Sequence, residues 1–301
     1  MMGLGTADTL RKTIGACLGQ GDPRVRIAVL DGRVDATHGC FLGAHLRPLE
    51  IPVTADSDAS ARGTHTGSLI FGQPGSSVAG LAPRCRGLIV PVFGNDGPRC
   101  SQLCLARAIE LAIEHGAHII DISRGEFVSS GTTQLELTRA IDRCVHHNVM
   151  IVAAVTTVGL DAAEPILAVD AIHEPGHLPF ERIGGHARSG RYVLAPGSNI
   201  EGAALQGGIA HRSGASCAAA LVAAIAGLLL SHQLRNGRQP DPHQVHRALL
   251  ETATPCPSSA AGVINPDGAL DHVASGAVAG REAMEFWTRI GVTIAPTVSG
   301  P

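Results

Sequence analysis

A chain of 301 residues is long enough to bury the full core of one large α/β domain without disulfide staples. With 45% hydrophobic and 16% charged residues, 37 glycines and 3% aromatics, it is neither disordered nor collagen-like, and it is built from small side chains and tight turns. The formal charge is −3, the sole lysine is Lys12, and the arginines are scattered rather than clustered, so no nucleic-acid footprint is present.

Taken along the chain, the first 24 residues lack a basic start, a continuous apolar region and a small-residue cleavage site, which predicts no secretory signal and a cytoplasmic protein. Short runs rich in Val, Ile and Leu predict strands over 26–30, 87–91, 118–122, 149–154 and 167–171. Residues 54–61 read as a polar loop. A helix is predicted over 101–115, from Leu105, Ile109, Leu111 and Ile113 with Gly116 after them, and 133–146 repeats that pattern. The apolar stretch 218–230 is too short to cross a bilayer comfortably and predicts a buried helix over 215–232, so no membrane is expected as a partner. Another helix is predicted over 242–251, and the small residues after Pro257 close the domain. From about residue 276 these signals are lost, and Trp287 sits in the tail.

Alternating strands and helices predict a three-layer α/β fold, mainly parallel sheet with helices on both faces. The partition expected is an N-terminal extension, 1–24, one domain, 25–275, and a C-terminal tail, 276–301. The eight cysteines, Cys17, Cys40, Cys85, Cys100, Cys104, Cys144, Cys217 and Cys256, have no CxxC spacing and are expected to stay reduced. Asp35, Asp56 and Asp58 lack the third ligand and the glycine of a calcium loop, so no metal and no cofactor is expected.

Three segments could carry chemistry. Asp31-Gly32 ends the first strand, where open α/β sheets place their ligands. Arg62-Gly63-Thr64-His65 follows the polar loop. Ser216 stands in the first turn of the most apolar helix, where free N–H groups and the positive dipole end suit a nucleophile and its oxyanion. Each also has a plain structural use, Asp31 as a loop cap and Ser216 as a helix cap.

In this order and on this framework the three segments resemble the subtilisin-like (S8) serine peptidases, whose triad runs Asp, His, Ser along the chain. The resemblance covers residues 25 to about 270 and includes Ala82-Pro83, the run His118-Ile119-Ile120-Asp121-Ile122-Ser123 and the run Ala195-Pro196-Gly197-Ser198-Asn199-Ile200. The runs Leu30-Asp31-Gly32-Arg33-Val34-Asp35, Cys85-Arg86-Gly87-Leu88-Ile89-Val90-Pro91 and Leu105-Ala106-Arg107-Ala108-Ile109-Glu110 look most like the PatA-type leader peptidases of cyanobactin maturation. This likeness implies an Asp31 and Ser216 pair of catalytic type, and a peptide groove between Gly94–Gly97 and Ser123-Arg124-Gly125-Glu126.

The same likeness exposes departures. Where the family has its base histidine this chain has Arg62, which has no acceptor lone pair and a pKa above about 12. Where the family has its oxyanion asparagine the chain has Thr157. His65, one helical turn beyond Arg62, is a remote candidate for a relocated base, with His38 and His211 behind it, and Cys217 points away from Ser216 around the helix. Arg62 is expected either to pair bidentately with Asp31 or, with Arg124, to line the groove for an acidic peptide. The reading favoured is a pseudo-peptidase that binds a precursor peptide or another maturation enzyme. The alternatives are an active endopeptidase with Ser216 as nucleophile, and a scaffold in a larger assembly docked through the Trp287 tail.

Overall fold

The structure, a computed structural model, describes residues 14, 18–51, 57–93, 99–123, 126–128, 133–155, 164–172, 192–256, 259 and 261–275. Its frame is a nine-stranded sheet. The strands are β1 (Arg26–Asp31), β2 (Leu46–Pro48), β3 (Arg86–Pro91), β5 (Ile119–Ile122), β7 (Met150–Ala154), β8 (Ile166–Ile172), β9 (Tyr192–Pro196), β12 (Thr254–Pro255) and β13 (Gly262–Val263). Their order is β12-β13-β9-β8-β7-β5-β1-β3-β2, parallel throughout except for β12 against β13. Two small sheets stand apart: β4 (Arg99–Ser101) beside β6 (Glu126–Val128), and the hairpin of β10 (Ile200–Ala203) and β11 (Ile209–Arg212).

The period of two along β1 divides the molecule. Ile27 and Val29 face one core, shared with α1 (Ser57–Phe71), α4 (Ala215–Arg235), α5 (Pro242–Glu251) and α6 (Pro266–Ser275). Ala28 and Leu30 face the other, shared with α2 (Gln102–Glu114) and α3 (Thr133–His146). Helices thus cover both faces, the three-layer arrangement expected, and both faces of the sheet are apolar because both are buried.

Helix α4 runs through the larger core with scarcely a polar side, and 89% of its most apolar window is buried. It is the buried core helix expected over 215–232. At Gly227 a Cβ would meet Ile27 Cδ1 at 2.7 Å, so glycine lets α4 lie directly on β1.

One expectation needs correction. Residues 57–61 belong to α1 rather than to a polar loop; the helix signal is diluted by Gly63 and Gly67, the first of which packing requires. Ahead of residue 25, Ile14 and Leu18 are buried in the larger core and Leu18 O accepts from Arg235 Nη2.

Candidate active site

Because the sheet is parallel, β1, β3, β5 and β7 all present their carboxyl ends at one edge. At that edge Asp31 is 2% exposed, with Oδ1 accepting from Gly32 N at 2.8 Å and Oδ2 from Thr66 Oγ1 at 3.0 Å. Helix α1 crosses the end of β1 backbone to backbone. A Cβ on Gly32 would stand 1.8 Å from Ala59 O, and one on Gly63 would stand 2.3 Å from Gly32 O. This contact joins the residue after Asp31 to the residue after Arg62. Gly63→Ala is expected to destabilise the fold by about 3 kcal/mol in chemical unfolding, since backbone must move. Gly67→Ala, which would press a Cβ only on Val34 Cγ2 at 3.2 Å, is expected to cost far less.

Arg62 does not make the expected bidentate pair with Asp31. Its Nη1 donates to Asp58 Oδ2 one helical turn earlier, while Nε and Nη2 are buried without a hydrogen-bond partner. The Arg62 side chain is 10% exposed and that of Asp58 70%, so the pair reaches from the site to solvent.

His65 is held elsewhere. Its Nε2 donates to Ile200 O at 3.1 Å, and Gly202 lies so close that a Cβ there would meet the ring at 2.6 Å. Burial pushes its pKa down to about 4, so the imidazole is neutral at pH 7 and ties α1 to the hairpin. His38 uses both ring nitrogens, Nδ1 accepting from Cys40 N and Nε2 donating to Gly208 O, and His211 faces Glu201 at 3.7 Å. Among the described residues no histidine is hydrogen-bonded to Ser216 Oγ.

Ser216 opens α4, half-buried, after Gly214 at φ 145°. Gly214 N donates to Gly197 O at 2.7 Å, and a Cβ on Gly197 would strike Ala171 Cβ at 2.5 Å, so the end of β9 and the turn before α4 are locked together. Cys217 beside it is buried, and burial pushes its thiol up to about 11, which keeps it protonated.

One site residue was read only as part of a strand. Asp121, in the otherwise apolar β5, is fully buried; its Oδ2 accepts from Ser123 Oγ at 2.5 Å and its Oδ1 has no hydrogen-bond partner. Burial pushes its carboxyl up to about 8, Ser123 works against this, and the charge of Asp31 adds to it. The signal was available, since a carboxylate inside an Ile-rich strand has to be paired or protonated. Ser123 lies at the strand end where the groove wall was expected. Thr157, Gly94, Gly97, Arg124 and Gly125 lie outside the described residues, and Glu126 begins β6, its backbone in register with Arg99.

Residues 23–280 match the model of the Subtilase family. Among solved structures, a point mutant of the protease domain of PatA is 42% identical, with a TM-score of 0.76 over 86% of this chain and 98% of that one. The prenylagaramide maturation protease PagA is 38% identical, with a TM-score of 0.75 over 87% of this chain and 98% of that one. The PatG macrocyclase in complex with peptide is 28% identical, with a TM-score of 0.72 over 91% and 96%. Subtilisin BL of Lederbergia lenta is 28% identical over 81% of this chain and 90% of its own length. The chain spans about half, 53%, of the thermostable alkaline protease of Halalkalibacterium halodurans.

Proposed function

Since the chain belongs to the subtilase family, with a subtilisin-like fold and homology to PatA, PagA and PatG, we propose that it is a pseudo-peptidase that binds a ribosomally made precursor peptide without cutting it. The observation that carries this reading is the occupant of the base's place. Arg62 has no lone pair to accept the Ser216 proton, and its position is anchored by Asp58 on the same helix. His65, the nearest substitute, gives its Nε2 hydrogen to a backbone carbonyl and is buried under the hairpin. The names of the relatives supply the substrate class: two are maturation proteases and one was solved with a peptide. On this reading the protein works in the cytoplasm, where it presents the peptide to other maturation enzymes.

A second reading keeps hydrolysis, because Asp31 stands at the carboxyl edge of the sheet and Ser216 at the head of α4. Incubation with a leader-bearing precursor peptide separates the two. Binding by fluorescence anisotropy with no cleavage by mass spectrometry, unchanged in Ser216→Ala, is the expected result. Cleavage that disappears in Ser216→Ala would establish the endopeptidase instead.

A further inference from the structure

An arginine inside a fold has to give away its N–H groups, because it cannot shed a proton to become neutral. Arginines elsewhere in the fold do so. Arg26 Nη1 donates to Gly116 O at 3.4 Å, Arg235 Nη2 to Leu18 O at 2.8 Å, and Arg238 to Val273 O and Gln244 Oε1. Arg62 departs from them. Its side chain is 10% exposed, Nη1 donates to Asp58 Oδ2, and Nε and Nη2 are buried with no hydrogen-bond partner. Among the described arginines, Arg212 leaves one buried nitrogen, Nε, without a partner, and only Arg62 leaves two.

Those two nitrogens share an edge of the guanidinium. Nε and Nη2 point their hydrogens the same way in its plane, at a spacing that matches the two oxygens of a carboxylate, so the edge takes a carboxylate through two parallel bonds. Asp58 holds the group from Nη1, off that edge, one helical turn earlier on α1. Its own side chain is 70% exposed, and a solvated partner of that kind does little to offset the cost of two buried donors. A ligand that met both would remove that cost.

Resting on the peptide-binding reading above, we propose that the Nε–Nη2 edge of Arg62 is a receptor for a carboxylate of the bound peptide. Residue 62 takes the place of the base, and a base has to lie within hydrogen-bond reach of the reacting group, so the ligand that meets this edge is the peptide in the cleft. The substitution that removes the base thus supplies a binding contact. A ribosomally made peptide has carboxylates from two sources, its free C-terminus and the side chains of Asp and Glu, and the edge fits both. The contact selects by shape as well as by charge. An amide of the same size sets its NH2 group against one of the two donors, and a lysine at position 62 would offer a point charge without the fork.

Exposing the immobilised full chain to pooled random octapeptides, once with free C-termini and once with C-terminal amides, and reading the bound peptides by mass spectrometry tests the receptor. The expected result is enrichment of carboxylates. Free termini are enriched over amides where the terminus is the source, and Asp and Glu over Asn and Gln at one position of the amide pool where a side chain is. The best binder, resynthesised with that carboxylate as its amide, is expected to bind the parent about tenfold to a hundredfold more weakly. Arg62→Met is expected to bind the two forms alike, and Arg62→Lys to keep only a small part of the preference. Enrichment blind to carboxylates, or a preference undiminished in Arg62→Met or Arg62→Lys, would overturn the receptor and leave peptide binding standing. Retention of no peptide from either pool would overturn both. The acid and amide comparison uses the parent chain alone, so it decides the matter whether or not a variant folds.

Discussion

If Arg62 and Thr157 are what withhold hydrolysis, as we propose, replacing Arg62 by histidine and Thr157 by asparagine together is expected to produce cleavage of peptide bonds through Ser216. In subtilisin, loss of the base lowers turnover about a million-fold and loss of one oxyanion donor about a hundred- to a thousand-fold, and the two effects need not add. Arg62→His alone is therefore expected to raise cleavage about a thousand-fold or more above the parent, with a further gain from Thr157→Asn. Stability does not oppose the change. The Arg62 pair with exposed Asp58 is worth about 0–1 kcal/mol, whereas removing two buried unpartnered donors recovers about 1–3 kcal/mol each. The backbone contact between Gly32 and Gly63 joins the residues next to Asp31 and to position 62. Cleavage that is absent in Arg62→Ala and abolished by Ser216→Ala in the rescued chain would establish an intact groove with a missing base. A folded, silent double variant would show that Asp31, residue 62 and Ser216 are not in line.

Asp121→Asn is expected to make the protein more stable at neutral and alkaline pH, and not near pH 4. With its folded pKa raised to about 8, the Asp121 carboxyl keeps its proton in the fold and releases it in the unfolded chain above about pH 4. Its favourable contribution is thus complete below about pH 4 and is lost as pH rises to about 8, at up to about 1.4 kcal/mol per pH unit, after which the curve is flat. The amide never ionises and can still accept from Ser123. At pH 7 the variant is expected to gain on the order of 3 kcal/mol in urea unfolding, and at pH 4 almost nothing. An advantage independent of pH would mean that the carboxyl is charged in the fold.

Much of the framework was readable because buried parallel strands are continuous Val, Ile and Leu runs: β1, β3, β5, β7 and β8 lie within a residue or two of their expected places. Helices α2 to α5 announced themselves by apolar spacing and by Gly116 after α2. Helix α1 did not, because the glycines that let it cross β1 lower its helical signal. That one misreading hid a site contact. A polar loop over 54–61 does not make Asp58 and Arg62 neighbours four apart on a helix, which left Arg62 to Asp31 or, with Arg124, to the groove. Strand β9, which ends in proline, and the β10–β11 hairpin, which mixes glycine and charged residues with apolar ones, lack a continuous Val, Ile and Leu run, so the partner that engages His65 went unseen. The anchors Asp31 and Ser216 were legible from their order along the chain.

The course of α4 has a consequence for how the chain is made. Its first strand, β1, is an interior strand of the sheet, and β2, β3, β5 and β7 can all assemble on either side of it before residue 215 is synthesised. Until then the sheet face formed by Ile27, Val29, Ile119, Met150 and Val152 has no α4 to lie against, and the last two strands at one side, β13 and the edge strand β12, are not yet made. Folding therefore waits on contacts between residues far apart in sequence, the kind that form slowly and leave partly folded chains prone to aggregate. A chain ending before residue 215 would carry a half-covered sheet as its resting state, and its fate in the cell would be decided by chaperones rather than by its own packing.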